Sequence, residues 1–203
     1  MHIMESAKFK ELDDRAYNTF LNSLSGAKPA FLIGSGMGDD ENVAIFNSIT
    51  HLGSNPPLLG FVQRPTSVER HTYQNILKYG YYSFNLISGD MYQKGHQTSA
   101  RYAKGRSEFK EVGLTALYRS DINCPFVEES PLHIALELFD DIKIKSNNTH
   151  LIIGKVLSVS KVELKNEKPT DLDFESLNGV NVSGLSDYYS VEKLSSLAYA
   201  KDK

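Results

Sequence analysis

Hydrophobic and polar positions repeat with two periods along this chain, and the switches between them mark its elements. Over Glu11–Leu24, Leu12, Ala16, Phe20 and Leu24 recur every four residues and Gly26 follows. That pattern predicts an amphipathic helix with a glycine stop. From Pro29 the period shortens. Ala30–Ser35 predicts a strand, and Gly34, Gly36 and Gly38 with Asp39 and Asp40 predict a turn. Asn42–Thr50 then alternates, with Val43, Ile45, Asn47 and Ile49 on one face and Ala44, Phe46, Ser48 and Thr50 on the other. This two-residue repeat predicts a single strand. Pro56-Pro57 interrupts the chain, and Leu58–Gln63 is a short apolar strand.

Thr66 reads as a helix N-cap, with Glu69 three residues on completing a capping box. Val68, Thr72, Ile76 and Tyr79 give that helix one face, and Lys78 and Gly80 close it. Tyr81–Ile87 predicts a strand and Asp90–Ala103 a short helix, while Glu111–Leu117 has no decided period. In Leu132–Lys145, Ile134, Leu136 and Leu138 alternate with Ala135, Glu137 and Phe139. Asn147-Asn148 then turns the chain into a long strand, Leu151–Glu163, so the two runs read as a hairpin. Asn178–Ala200 is mixed. Many short strands with few helices predict a small, mainly antiparallel barrel with helices packed outside.

Length and composition narrow the class. The 203 residues fit one domain spanning 1–203, with the helix at about 11–24 packed on it, and an apolar fraction of 40% suits a globular protein. A formal charge of -3 with no basic block argues against nucleic acid as a partner. Leu58–Val62 and Leu151–Ile153 are too short to cross a bilayer, and Met1–Lys10 lacks the apolar stretch of a signal peptide. The expectation is a cytoplasmic protein with no membrane contact. Cys124 is the one cysteine, so no intrachain disulfide forms, and in Asn-Cys-Pro-Phe it reads as a partly buried spacer thiol.

Gly34-Ser-Gly-Met-Gly38 has the look of a dinucleotide fingerprint, but an acidic turn and a strand follow where the fingerprint needs a helix. It reads as a hairpin turn. His51, His71, His96 and His133 read first as structural histidines, and no His, Cys, Asp or Glu pair has metal spacing, so no metal is expected. Asp39-Asp40-Glu41 and Asp140-Asp141 read as solvated turn and strand-end charges.

Four clusters remain: Asn42–Thr50 with His51–Pro57; Arg64-Pro65 with Arg70-His-Thr-Tyr-Gln-Asn-Ile76; His96-Gln-Thr-Ser-Ala100; and Phe126–Pro131. In order and spacing they resemble the flavin reductase-like family. Its pattern of an asparagine-rich strand, Asp/Asn-Pro-Pro, an apolar strand, Thr-x-x-Asn-Ile and Glu-Ser-Pro appears here at Asn42, Asn55-Pro56-Pro57, Leu58–Val62, Thr72–Ile76 and Glu129-Ser130-Pro131. The likeness runs from about Ala27 to near Tyr199, and its Arg64-Pro and His96 segments resemble a flavoredoxin-like branch. Two departures touch one rim: Lys28-Pro29 replaces a common Arg-Pro, and Gly38-Asp-Asp-Glu41 replaces the usual Asp-Gly turn.

The resemblance implies a split β-barrel of Greek-key type, bound FMN, NAD(P)H as electron donor and a homodimer with flavin near the interface. It also implies an acceptor for the electrons, a monooxygenase or another protein. The FMN phosphate calls for arginine, hydroxyls and a helix N-terminus. Arg64, Arg70 and Thr72 match that demand, although Thr72 reads equally as a core-facing residue. The isoalloxazine ring calls for a flat slot with backbone hydrogen bonds, which implicates Asn47, Ser48, Ile49 and Thr50. His96 and Ser99, with Thr98, are candidates to cover its other side, including from the second subunit, and His133 is the next candidate near a nicotinamide. Asn75 belongs to the family motif but reads as well as a packing or capping residue. No residue is singled out as a general acid or base, because hydride transfer is the cofactor's own chemistry. A flavoredoxin-like electron carrier fed by a partner protein and a flavin-free binding barrel are the rival readings.

Overall fold

The computed structural model describes residues 5–103, 105–162, 168 and 170–202. Its helices are α1 (Asp14–Ser23), α2 (His71–Tyr79), α3 (Tyr92–Gln97) and α4 (Glu108–Val112). Its strands are β1 (Lys28–Pro29), β2 (Phe31–Ser35), β3 (Asn42–Phe46), β4 (Thr50–Ser54), β5 (Pro57–Gln63), β6 (Tyr81–Leu86), β7 (Ala116–Arg119), β8 (Ile122–Val127), β9 (Leu132–Ile144), β10 (Thr149–Lys161), β11 (Val180–Ser183) and β12 (Asp187–Ser190). Single 3-10 turns span Ser6–Glu11 and Gly38–Asp40.

The main sheet has the order β3-β2-β6-β9-β10-β5-β4, antiparallel throughout. Its two edges, β3 and β4, are consecutive in sequence and joined by Asn47–Ile49 alone. Laid flat, six strand spacings would hold those edges about 29 Å apart. The linker reaches at most about 13 Å, so the sheet must curl into a partly open barrel. Ser48 stitches the seam: its hydroxyl donates to the Val62 carbonyl at 3.3 Å and accepts from the Val62 amide at 3.0 Å. Two smaller sheets, β1-β11-β12 and β7-β8, flank the barrel.

The barrel interior is filled by fully buried Phe61, Tyr82, Phe84, Leu136 and Ile152. Phe61 is the hub, with ring centroids 4.9 Å from Phe46, 6.0 Å from Tyr82 and 5.9 Å from Phe84. Such edge and tilted pairings add to plain area burial. Gly154 is where β10 crosses Tyr82, and any Cβ there would collide with the phenol. A second cluster, including Leu32, Val43, Phe109 and Val182, fills the space between the barrel and α3, α4 and the small sheet.

The strand expected over Asn42–Thr50 is two strands, broken at Asn47–Ile49 because closing the barrel requires a corner there. Thr66 is not an N-cap. The helix starts at His71 behind Arg70, because Arg70 Nε donates to the Pro65 carbonyl at 3.3 Å and folds residues 65–70 into a loop. The helix expected over Asp90–Ala103 is only Tyr92–Gln97, and the undecided stretch resolves into α4 and β7. At the end of the second hairpin strand, Glu163 lies outside the described residues, as do 1–4 and 203 of the expected domain.

Of the five acids expected to be solvated, Asp39 and Asp140 are exposed and the other three are paired. Asp40 takes Lys78 Nζ at 2.5 Å and the Tyr79 hydroxyl at 2.8 Å, and Glu41 accepts from Ser107 and from Tyr118 at 2.5 Å. Asp141 accepts from the Tyr73 hydroxyl at 2.6 Å and from His150 Nδ1 at 2.7 Å. Burial first, then this bond to Asp141, pushes the Tyr73 phenol up to about 12. Cys124 is fully buried with Ile122, Phe126 and Ala135, and burial pushes its thiol up to about 12. A thiol held protonated in an apolar pocket is inert.

Candidate functional site

A cleft of about 760 Å³ opens beside the barrel seam, within the size range of small-molecule sites. One wall is the end of β3 with Phe46, Asn47 and Ser48, continuing into Val62 and Gln63 of β5. The floor is the start of α2, with His71 and Thr72, and Glu108 of α4. Facing them are the segment 98–103 after α3 and the turn and strand carrying Val182, Gly184, Leu185 and Tyr188. The rim carries Arg64, Arg70 and Arg101.

The cleft gathers six of the residues picked out in the sequence: Asn47, Ser48, Arg64, Arg70, Thr72 and Ser99. Four lie outside its lining. Ile49 is packed against the barrel core. Thr50 is exposed on β4. Asn75 donates from Nδ2 to the Asp40 carbonyl at 2.7 Å, bracing the β2–β3 turn in a smaller hollow of about 100 Å³. His96 stands one residue behind the lining, its Nδ1 3.2 Å from the Tyr188 hydroxyl. Thr72 is buried and its hydroxyl accepts from Asn42 Nδ2 at 3.0 Å, so it ties α2 to β3. His133 is away from the cleft: its Nε2 meets the Val127 carbonyl at 2.8 Å. Burial holds that imidazole below its ordinary range.

Arg101, Tyr188, Gln63 and Glu108 are among the lining residues that the sequence did not single out. Arg101 and Tyr188 reach the cleft from segments 31 and 118 residues beyond Arg70, and no local pattern marks such an encounter. Gln63 is 3% exposed, and its Oε1 has no hydrogen-bond partner among the described residues. Burial pushes the Tyr188 phenol up to about 12, so it stays a neutral hydroxyl at the cleft wall.

The rim is mainly cationic, with the exposed Glu69 beside its arginines. Burial, then the nearby Arg64 and Arg101, pull Arg70 below its ordinary value. A guanidinium held close to two others favours an anion beside it. Glu108 is the buried acid of the floor. Desolvation raises its pKa, only partly offset by backbone N–H groups and His71. With the folded value above the unfolded one, its contribution to stability is fully present below the ordinary carboxylate range. That contribution is lost as pH rises through the folded value. Glu108→Gln is therefore expected to raise the melting temperature by a few degrees at pH 8, with the gain vanishing toward pH 4. Thermal melts at both values check it, and a pH-independent change would refute the assignment.

Among the described residues no three His, Cys, Asp or Glu side chains gather as metal ligands, and no helix is long and apolar enough to cross a membrane. The arrangement suits an organic anion with a flat body: cations at the rim, an aromatic and backbone wall, and small polar side chains. The sequence profile described as the flavin reductase like domain matches residues 25–176. The chain belongs to this family. As a family member it is a split-barrel flavoprotein with a flavin-related redox function. A solved split-barrel protein from Shewanella frigidimarina, itself assigned to the flavin reductases, is 39% identical. It covers 98% of this chain and 100% of its own, with a TM-score of 0.92. Nitrilotriacetate monooxygenase component B from Bacillus cereus shares the fold at 20% identity, covering 97% and 100%, with a TM-score of 0.83. Flavoredoxin of Desulfovibrio vulgaris shares it at 21% identity, covering 86% and 92%, with a TM-score of 0.72.

Proposed function

We propose that this family member is an FMN-binding flavin reductase that passes a hydride from NAD(P)H to the flavin. One observation carries the reading: Arg64, Arg70 and Arg101 converge on one cleft whose β3–β5 wall offers Phe46 and strand backbone. The cleft fits the cofactor at both ends. The arginines and the first turn of α2 hold a phosphate dianion. Phe46 and the strand end at Asn47-Ser48 offer a flat apolar wall with polar backbone for the ring. Bound flavin supplies the hydride acceptor, and that chemistry is its own. The chain's residues bind it, exclude water along the Phe46–Val62 wall, and present uncharged hydroxyls at Ser99 and Tyr188 on the opposite side. Tyr188 positions His96 through their 3.2 Å contact, which brings that residue to the cleft indirectly.

The reading extends to the whole chain as one FMN-binding domain, cytoplasmic, paired with a second copy and delivering electrons to a monooxygenase or another acceptor. The Bacillus cereus relative is named as a monooxygenase component, which supports a two-component arrangement. The rival is an electron carrier fed by a protein, favoured by the shared fold with flavoredoxin. The test is the visible spectrum of FMN-reconstituted, desalted protein, before and after anaerobic NADH or NADPH. Retained flavin bands that bleach are expected. Bands that persist with both nucleotides but bleach with a reduced protein donor would move the assignment to the carrier. No flavin band after desalting, together with no turnover of free flavin, would reject both.

A further inference from the structure

We propose that residues 191–202 form an exchange arm, laid across the outer apolar face of β5, β10 and β9 in a second copy of this chain. The proposal rests on the self-pairing included in the functional reading. The arm follows β12 and forms neither helix nor strand. Its root is fastened, because the Glu175 carboxylate accepts the Lys193 amide at 3.0 Å. Beyond that anchor Leu194, Leu197 and Tyr199 are 92%, 90% and 92% exposed. Scattered exposed apolar residues need no explanation, but three so exposed within one short segment mark an interaction site. The stretch 194–200 also carries no charge, so nothing in it resists transfer to an apolar surface.

The receiving face is set by strand register. Val62 pairs with Leu151, and Leu151 with Ile142, so the three stand in a row across β5, β10 and β9 on one face. Leu52 and Leu151 both reach over Gly60, which widens the row. Val62, Leu52 and Ile142 are exposed. The row borders the cleft, because Val62 lines both.

Lengths and areas agree with this occupant. Nine extended residues beyond Lys193 reach about 30 Å, and three neighbouring strands are only about 10 Å across. Fully covering two leucines and a tyrosine removes several hundred Å² from water, a large share of the roughly 800 Å² per partner of an ordinary interface. A two-fold axis gives each copy one arm extended and one face covered, which closes the assembly at two. It also places each arm beside the partner's cleft.

The test is sedimentation velocity on full-length protein, on protein lacking 191–203, on Leu194→Ser/Leu197→Ser and on Ile142→Lys, with circular dichroism confirming each fold. The double-serine variant covers the case in which truncation alone unfolds the chain. The full-length chain is expected to be dimeric at micromolar concentration. Each variant should raise the dimer dissociation constant at least about 100-fold. Mixing Leu197→Cys with Ile142→Cys should give an intermolecular disulfide under mild oxidation, since Cys124 is buried. A full-length monomer would sink both the pairing and the arm. A dimer indifferent to the arm variants would sink the arm alone. A dimer broken by arm variants but untouched by Ile142→Lys and uncross-linked by the cysteine pair would overturn this docking face. Flavin retention is measured separately and decides neither.

Discussion

Arg70→Ala is expected to weaken FMN binding by about 10- to 100-fold while changing riboflavin binding by less than about threefold. The range follows from the roughly 1.5–3 kcal/mol of a hydrogen bond to a charged group. Riboflavin lacks the phosphate, so it separates loss of the anion grip from general damage to the cleft. Arg70→Lys keeps the charge without the planar fork and should fall between the two. The free protein should not lose stability through electrostatics, because the substitution removes a charge that burial and two neighbouring cations disfavour. Fluorescence titrations with both flavins check it. An equal loss for FMN and riboflavin would mean that Arg70 acts by shaping the 65–70 loop through its bond to Pro65.

The second large effect is on stability. Phe61→Ala is expected to cost about 3–5 kcal/mol, a large part of the roughly 5–15 kcal/mol holding a domain together. Phe61 is fully buried and touches the rings of Phe46, Tyr82 and Phe84. The hole cannot be filled cheaply, because its walls are strands locked by register on both sides of β5. For a chain of this size the melting temperature should fall by about 6–20 °C. Phe46 also lines the cleft, so saturating flavin should recover part of the loss through binding linkage. Urea unfolding with and without flavin measures both effects, and a loss below about 1 kcal/mol would show that the site collapses around the smaller side chain.

Much of this fold is written in alternation. The β9–β10 hairpin is legible because its runs are long and Asn147-Asn148 supplies the turn, with Asn148 at φ 56°. The corner at Asn47–Ile49 is not legible, since alternation continues through it and only ring closure demands the break. Strands β7 and β8 escape for another reason: they are short and carry Pro125, which suits a two-stranded ribbon rather than a central strand. In the candidate site, Arg64, Arg70 and Thr72 are readable because one local segment holds them. Arg101 and Tyr188 are not, because their place is decided by the packing of α3 and the small sheet. Thr66 and Glu69 show the opposite error, a complete capping signal overridden when Arg70 folds back on Pro65.

The pairing of β1 with β11 places Lys28 opposite Val182, two positions far apart along the chain. During synthesis the barrel strands emerge first, and the N-terminal β1 waits with no partner until residues beyond 180 leave the ribosome. The wall formed by Val182, Gly184, Leu185 and Tyr188 arrives at the same moment. At about 5–20 residues per second, this leaves an interval of several seconds in which a formed barrel has only half a cleft. A chain stalled on the ribosome before β11 has emerged therefore carries a barrel whose cleft lacks that wall.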